Sequence, residues 1–124
     1  WDRWVPPAHW AGTRVAYFGG LPGPLRWLLP PLARRGVLRA LHGQGFGRMS
    51  GAMIIQRAER DLAALASLLG DREHLLGRPA AIDATIYAFL VSALRPPFDG
   101  PLQHAVARHP DLVALCERFE RRWW

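Results

Sequence analysis

The sequence predicts an all-α protein, a helical bundle around one central buried helix at about residues 80–94. Three observations carry that expectation. Apolar residues recur every three to four positions, the spacing of a helix face. No run of β-branched and aromatic residues alternates with period two, as a half-buried strand requires. One stretch of helix length, Ala80 to Leu94, is apolar on every side, which suits the middle of a domain better than its surface. Half of the 124 residues are hydrophobic, so residues 1–124 read as a single folded domain with its own core, not a disordered segment.

The elements follow in order. Trp1 to Trp4 read as the end of a helix, which Pro6 and Pro7 interrupt. A short helix is expected over Ala8–Phe18, and Gly19, Gly20, Pro22, Gly23 and Pro24 make a loop. A second segment runs from Pro24 to about His42, with a kink or break at Pro30 and Pro31. Gly43, Gly45 and Gly47 mark a glycine-rich turn. The clearest amphipathic helix spans about Ser50–Leu69, with Ile54, Ala58, Leu62, Leu65 and Leu69 on one face and Gly70 as its stop. After the apolar helix, Pro96 and Pro97 end the run and a short helix covers about Pro101–Arg108. Pro110 opens the last helix in a first-turn position, where a missing N–H costs nothing, and its stripe is Leu112, Leu115, Cys116, Phe119 and Trp123.

The apolar helix carries one acid, Asp83, three residues after Ala80. That is the spacing at which a side chain reaches back to the N–H of the helix cap, and it places a negative charge at the positive end of the helix dipole. Asp83 is therefore expected to be a structural capping residue. Ala80 has no side-chain oxygen to complete the reciprocal bond, a loss on the order of 1 kcal/mol.

The net charge is +6, all of the Lys and Arg count being Arg. Arg34, Arg35 and Arg39 cluster, as do Arg118, Arg121 and Arg122, but the others are scattered and no nucleic-acid motif accompanies them. A solvated surface is expected over a nucleic-acid footprint, and the same charge suits an acidic partner domain. One cysteine excludes a disulfide framework, and Cys116 falls on an apolar stripe, as a small buried hydrophobe does. His9, His42, His74, His104 and His109 lack ligand-like spacing, so no metal is expected. No segment is long and apolar enough to span a bilayer, and none reads as a signal peptide.

From Leu68 to Glu117 a definite order of parts appears. Leu68-Leu69-Gly70-Asp71 ends a helix, Leu75-Leu76-Gly77 follows, Arg78-Pro79-Ala80-Ala81-Ile82-Asp83-Ala84 opens the next, and His109-Pro110-Asp111-Leu112 opens the last. This resembles the C-terminal helical domain of glutathione S-transferases. Within that superfamily, Gln44-Gly45-Phe46-Gly47-Arg48 followed by Ser50 resembles the Gly-x-Gly-Arg-His-Ser motif of the failed-axon-connections and metaxin-like branch, bacterial type, with Met49 in place of His. Trp1-Asp2-Arg3-Trp4 is similar to the end of that branch's first C-domain helix.

The resemblance implies a two-domain molecule of which this chain, starting at Trp1, is a piece. A thioredoxin-like N-terminal domain, expected to be absent here because no strand or hairpin follows Val5-Pro6, would bind glutathione and carry the activating residue. This chain would contribute the hydrophobic substrate side of a cytoplasmic transferase or detoxification enzyme, and no residue in it is assigned as catalytic. Trp1, Trp4 and Arg48 are the substrate-binding candidates. The two tryptophans either wall an apolar cleft or pack against the upstream domain, leaving an exposed patch on the isolated chain. Arg48 either meets an anion or makes a structural contact. Implied partners are the thioredoxin-like domain, a homodimer mate and a small hydrophobic electrophile. The alternative is a non-catalytic adaptor for protein–protein contact.

Overall fold

The computed structural model describes residues 1–123. Every regular element among them is helical: α1 (Pro7–Phe18), α2 (Leu25–Gly43), a 3₁₀ turn (Phe46–Arg48), α3 (Gly51–Leu69), α4 (Ala81–Leu94), α5 (Pro101–Ala107) and α6 (Pro110–Trp123). They fall into two compact units. The first comprises residues 1–54 with 96–100; the second comprises residues 55–95 with 101 onward.

In the first unit, residues 1–5 form a single turn, the N–H groups of Trp4 and Val5 both donating to the Trp1 carbonyl. Pro7 then occupies the first position of α1, where its fixed φ suits the helix and no hydrogen bond is lost. Gly12 lets segment 96–100 approach α1 closely, since a Cβ there would lie 2.5 Å from the Pro97 carbonyl oxygen. His9 stacks on Phe98 with ring centroids 4.3 Å apart and meets the Asp2 carboxylate at 3.0 Å. The break expected at Pro30 and Pro31 is corrected: α2 runs through both. Each proline removes one bond of the helical ladder, and the buried Pro30 ring supplies packing in exchange.

The second unit holds the main core. Leu62 and Leu69 from α3, Leu90 from α4, Ala105 and Val106 from α5, and Leu112, Leu115 and Cys116 from α6 form one buried cluster. Each large aliphatic member contributes on the order of 1.5–3 kcal/mol through burial. Gly70 ends α3 at φ +51°, its N–H donating to the Ala66 carbonyl at 2.9 Å, so the stop that the sequence placed there is left-handed backbone.

The all-helical class stands, but the place of α4 within it is corrected. Only Asp83 and Leu90 of α4 are fully buried, while Ile82, Thr85, Ala88, Phe89 and Ser92 share an exposed stripe, Phe89 at 75%. The helix packs on α5 and α6, and no described element covers its other side. The most buried residues lie outside α4, among them Thr13 in α1, Leu69 in α3, Ala105 and Val106 in α5, and Leu112 in α6. Trp123, expected on the buried stripe of α6, is also exposed, with the Arg122 guanidinium 5.5 Å from its ring.

Asp83 caps α4 as the spacing required. Its residue is 2% exposed. One carboxylate oxygen accepts the Ala80 N–H at 2.9 Å and the other accepts the Leu75 N–H at 3.0 Å. Ala80 is extended at φ −147°, ψ 159°, a cap conformation, yet its side chain accepts nothing; the Asp83 N–H turns to the Ala80 carbonyl at 3.0 Å. At the other end of α4, the Arg95 guanidinium grips Glu120 of α6 with both contacts at 2.8 Å, and the Tyr87 hydroxyl donates to the same carboxylate at 3.2 Å.

Two substitutions test this cap. Asp83→Ala strands two backbone N–H groups and should lower the unfolding free energy by about 2–4 kcal/mol, with Asp83→Asn losing roughly half as much because its amide keeps one acceptor oxygen. Ala80→Ser should raise it by about 0.5–1 kcal/mol. Urea midpoints at constant m-value measure all three; an unchanged midpoint for Asp83→Ala would remove the capping role.

Candidate functional site

Three cavities are described, and none is lined by a serine, threonine, tyrosine or cysteine. In the second unit a cavity of about 540 Å³ opens beside the start of α4, lined by His74, Asp83, Leu115, Arg118 and Phe119 among others. His74 Nδ1 lies 3.5 Å from the Asp83 carboxylate and makes no hydrogen bond. Arg118 Nε is buried without a partner as well, while its terminal nitrogen reaches the Glu73 carbonyl at 3.5 Å. The cavity thus presents polar groups able to orient a ligand, and no hydroxyl or thiol side chain lines it.

In the first unit a larger groove, about 660 Å³, runs between α1 and α2. Trp10 and Arg14 line it from α1. From α2 come Arg26, Trp27, Arg34, Arg35, Arg39 and His42, with Pro30, Pro31 and Leu38 between them. No carboxylate faces it. The charge behind this is uneven along the chain: residues 1–54 hold seven arginines and one acid, Asp2, whereas residues 55–124 hold nine of each. Arg34 is committed structurally. Its guanidinium donates to the carbonyls of Trp4 and Val5 at 2.9 and 3.0 Å and lies 5.3 Å from the Trp10 ring centroid.

The substrate-binding candidates lie elsewhere in the first unit. Trp4 stacks on Trp10 with centroids 5.3 Å apart, and the Trp1 ring sits against Gly51, where a Cβ would come within 3.0 Å of it. Both are half-buried, so the exposed patch expected from them is corrected: the first turn of α1 covers part of the Trp4 ring and the start of α3 part of the Trp1 ring. Arg48 is exposed on the 3₁₀ turn. None of the three lines a described cavity. The α1–α2 groove was missed by sequence reasoning because Arg14 and Arg26 meet only through helix pairing. The signal that pointed to it was the absence of any acid between Asp2 and Glu59.

Glutathione activation requires a hydroxyl or thiol able to hold a thiolate, and Cys116, Tyr87 and Ser50 do not fit that task. Cys116 is 3% exposed, and burial pushes its thiol up to about 11, with Glu120 adding to the shift. The Tyr87 hydroxyl is raised by burial and by the Glu120 carboxylate it donates to, the opposite of an activated phenol. Ser50 accepts the Met53 N–H at 3.3 Å at the start of α3.

The family model for the glutathione S-transferase C-terminal domain matches residues 58–119. The chain belongs to that family. The match begins within α3 and ends within α6, so it includes the Asp83 cap and most of the second unit's core. No solved structure matches this transferase-type domain. No helix among the described residues is long and apolar enough to cross a membrane.

The raised thiol gives a pH prediction. A folded-state value above the unfolded one leaves stability intact below the unfolded value, ordinarily 9.0, and removes it as pH climbs toward about 11. Native Cys116 should resist thiol reagents at pH 8 and react once urea unfolds the chain. The Cys116→Ala variant should lose less stability than the parent between pH 9 and 11; equal losses would show that the thiol stays accessible in the fold.

Proposed function

We propose that this domain is the helical half of a glutathione-dependent transferase, supplying the apolar substrate side to a thioredoxin-like domain that holds glutathione. The observation that carries this reading is the family match across residues 58–119, centred on the Asp83 cap. The thiolate-holding group, on this reading, belongs to the other domain. On this reading Trp1 and Trp4 form part of an apolar wall for a small hydrophobic electrophile, and Arg48, which pairs with no described residue, meets an anionic group.

A second reading has its own support. The exposed stripe of Ile82 and Phe89 on α4 is a surface for protein contact, as a non-catalytic adaptor of the failed-axon-connections or metaxin-like type would need. The motif from Gln44 to Ser50 is the sequence feature that favours this branch.

Conjugation of glutathione to 1-chloro-2,4-dinitrobenzene separates these readings. The 124-residue chain alone should give no turnover above the uncatalysed rate. The same chain joined to its thioredoxin-like domain should give turnover that falls when Trp1 and Trp4 are replaced by alanine. Turnover by the 124-residue chain alone would overturn the division of labour, and inactivity of the two-domain protein would favour the adaptor.

A further inference from the structure

We propose that the groove between α1 and α2 binds a small phosphate-bearing ligand of nucleotide size, with Arg14, Arg26, Arg35 and Arg39 as phosphate donors and Trp27 as the surface on which a flat ring stacks. The proposal does not depend on the transferase reading.

The charge argument comes first. Arg14, Arg26, Arg35 and Arg39 form no hydrogen bond or ion pair with any described residue. Four unpaired guanidiniums on one groove repel each other, and an anion seated among them relieves that repulsion. Guanidinium forks match phosphate oxygens two at a time, so clustered arginines select phosphate more sharply than scattered positive charge does.

The aromatic geometry limits the ligand to one ring. Trp10 packs on Trp4 on one side and lies beside the Arg34 guanidinium, which hydrogen bonds hold in place. Trp27, by contrast, is 75% exposed and lines the groove. Arg14, Arg26 and Trp27 also border a smaller adjoining cavity of about 240 Å³ with Val15 and Phe18. A ring on Trp27 and phosphates among the arginines therefore use both recesses.

Size separates a small ligand from a strand. About 660 Å³ is the volume of a pocket for one small molecule. A groove that follows single-stranded nucleic acid needs successive exposed rings, one for each of several bases. Among the lining residues Trp27 is the one exposed tryptophan, tyrosine or phenylalanine, with the His42 imidazole as the other exposed ring.

The test uses the 124-residue chain with ATP as probe, followed by tryptophan fluorescence and by calorimetry. Saturable one-to-one binding is expected, displaced by pyrophosphate and weakened by added salt. Arg35→Gln combined with Arg39→Gln, both at exposed positions, should weaken ATP binding roughly tenfold or more. Trp27→Leu should remove most of the fluorescence change. Circular dichroism checks that the variants fold; if that pair does not, Arg14→Gln with Arg26→Gln decides by the same criterion. No saturable ATP signal, or equal affinity in parent and variants, overturns the proposal. So does binding of a single-stranded oligonucleotide, or of vesicles containing phosphatidylserine, that ATP fails to displace.

Discussion

The Asp83 carboxyl joins two pieces of backbone that otherwise have no ladder between them. The loop after α3 contributes the Leu75 N–H and the entry to α4 contributes the Ala80 N–H, and both end on the same side chain. The loop from residues 70 to 80 contains no helix of its own, so its path is set by such anchors. A buried N–H without a partner costs more than an ordinary hydrogen bond gains. The first turn of α4 is therefore fixed where Asp83 sits, and with it the direction in which Leu90 enters the core. The Arg95–Glu120–Tyr87 cluster ties the other end of α4 to α6. It is more exposed than the cap, and Arg95 holds Glu120 below the usual carboxylate range, but a solvent-screened pair of this kind contributes much less than a buried anchor.

Helix boundaries were legible in the sequence wherever a local rule sets them. Gly70 needs left-handed backbone, Pro7 and Pro110 sit in first turns, and Asp83 stands three residues from its cap. The stripe of α3 was legible for a related reason: Ile54, Leu62 and Leu69 are apolar among charged neighbours, and all three are buried. The surroundings of α4 were not. A helix apolar on all sides shows that water is disfavoured around it, not how many neighbours the fold supplies. Here α5 and α6 cover one side, and Ile82 and Phe89 remain in water. Pro30 and Pro31 misled in the opposite direction, because the loss of two helical bonds is visible in the sequence while the burial of Pro30 is a tertiary fact.

Charge and family membership lie in different stretches of the chain. The match over residues 58–119 covers the part where acids and arginines nearly balance, and there Arg95 pairs with Glu120 and Arg108 with Glu59. Before Glu59 the arginines have almost no acids to pair with, and Arg34 turns to backbone carbonyls and an aromatic ring instead. The scatter of arginines in the sequence hid this, because clustering along the chain and clustering in space differ once α1 and α2 pair.

The side chains around the cavities point to recognition more than to reaction. A guanidinium stays protonated at any physiological pH, so the arginines of the α1–α2 groove can bind and orient an anion but cannot remove a proton. The thiol that would make the simplest nucleophile is sealed among Leu112, Leu115 and their neighbours, where burial disfavours its charged form. A hydroxyl or thiol attacking group at these cavities would come from a substrate or from another domain. A helical partner to a glutathione-holding domain works under that constraint, and so does an arginine groove that captures a phosphate.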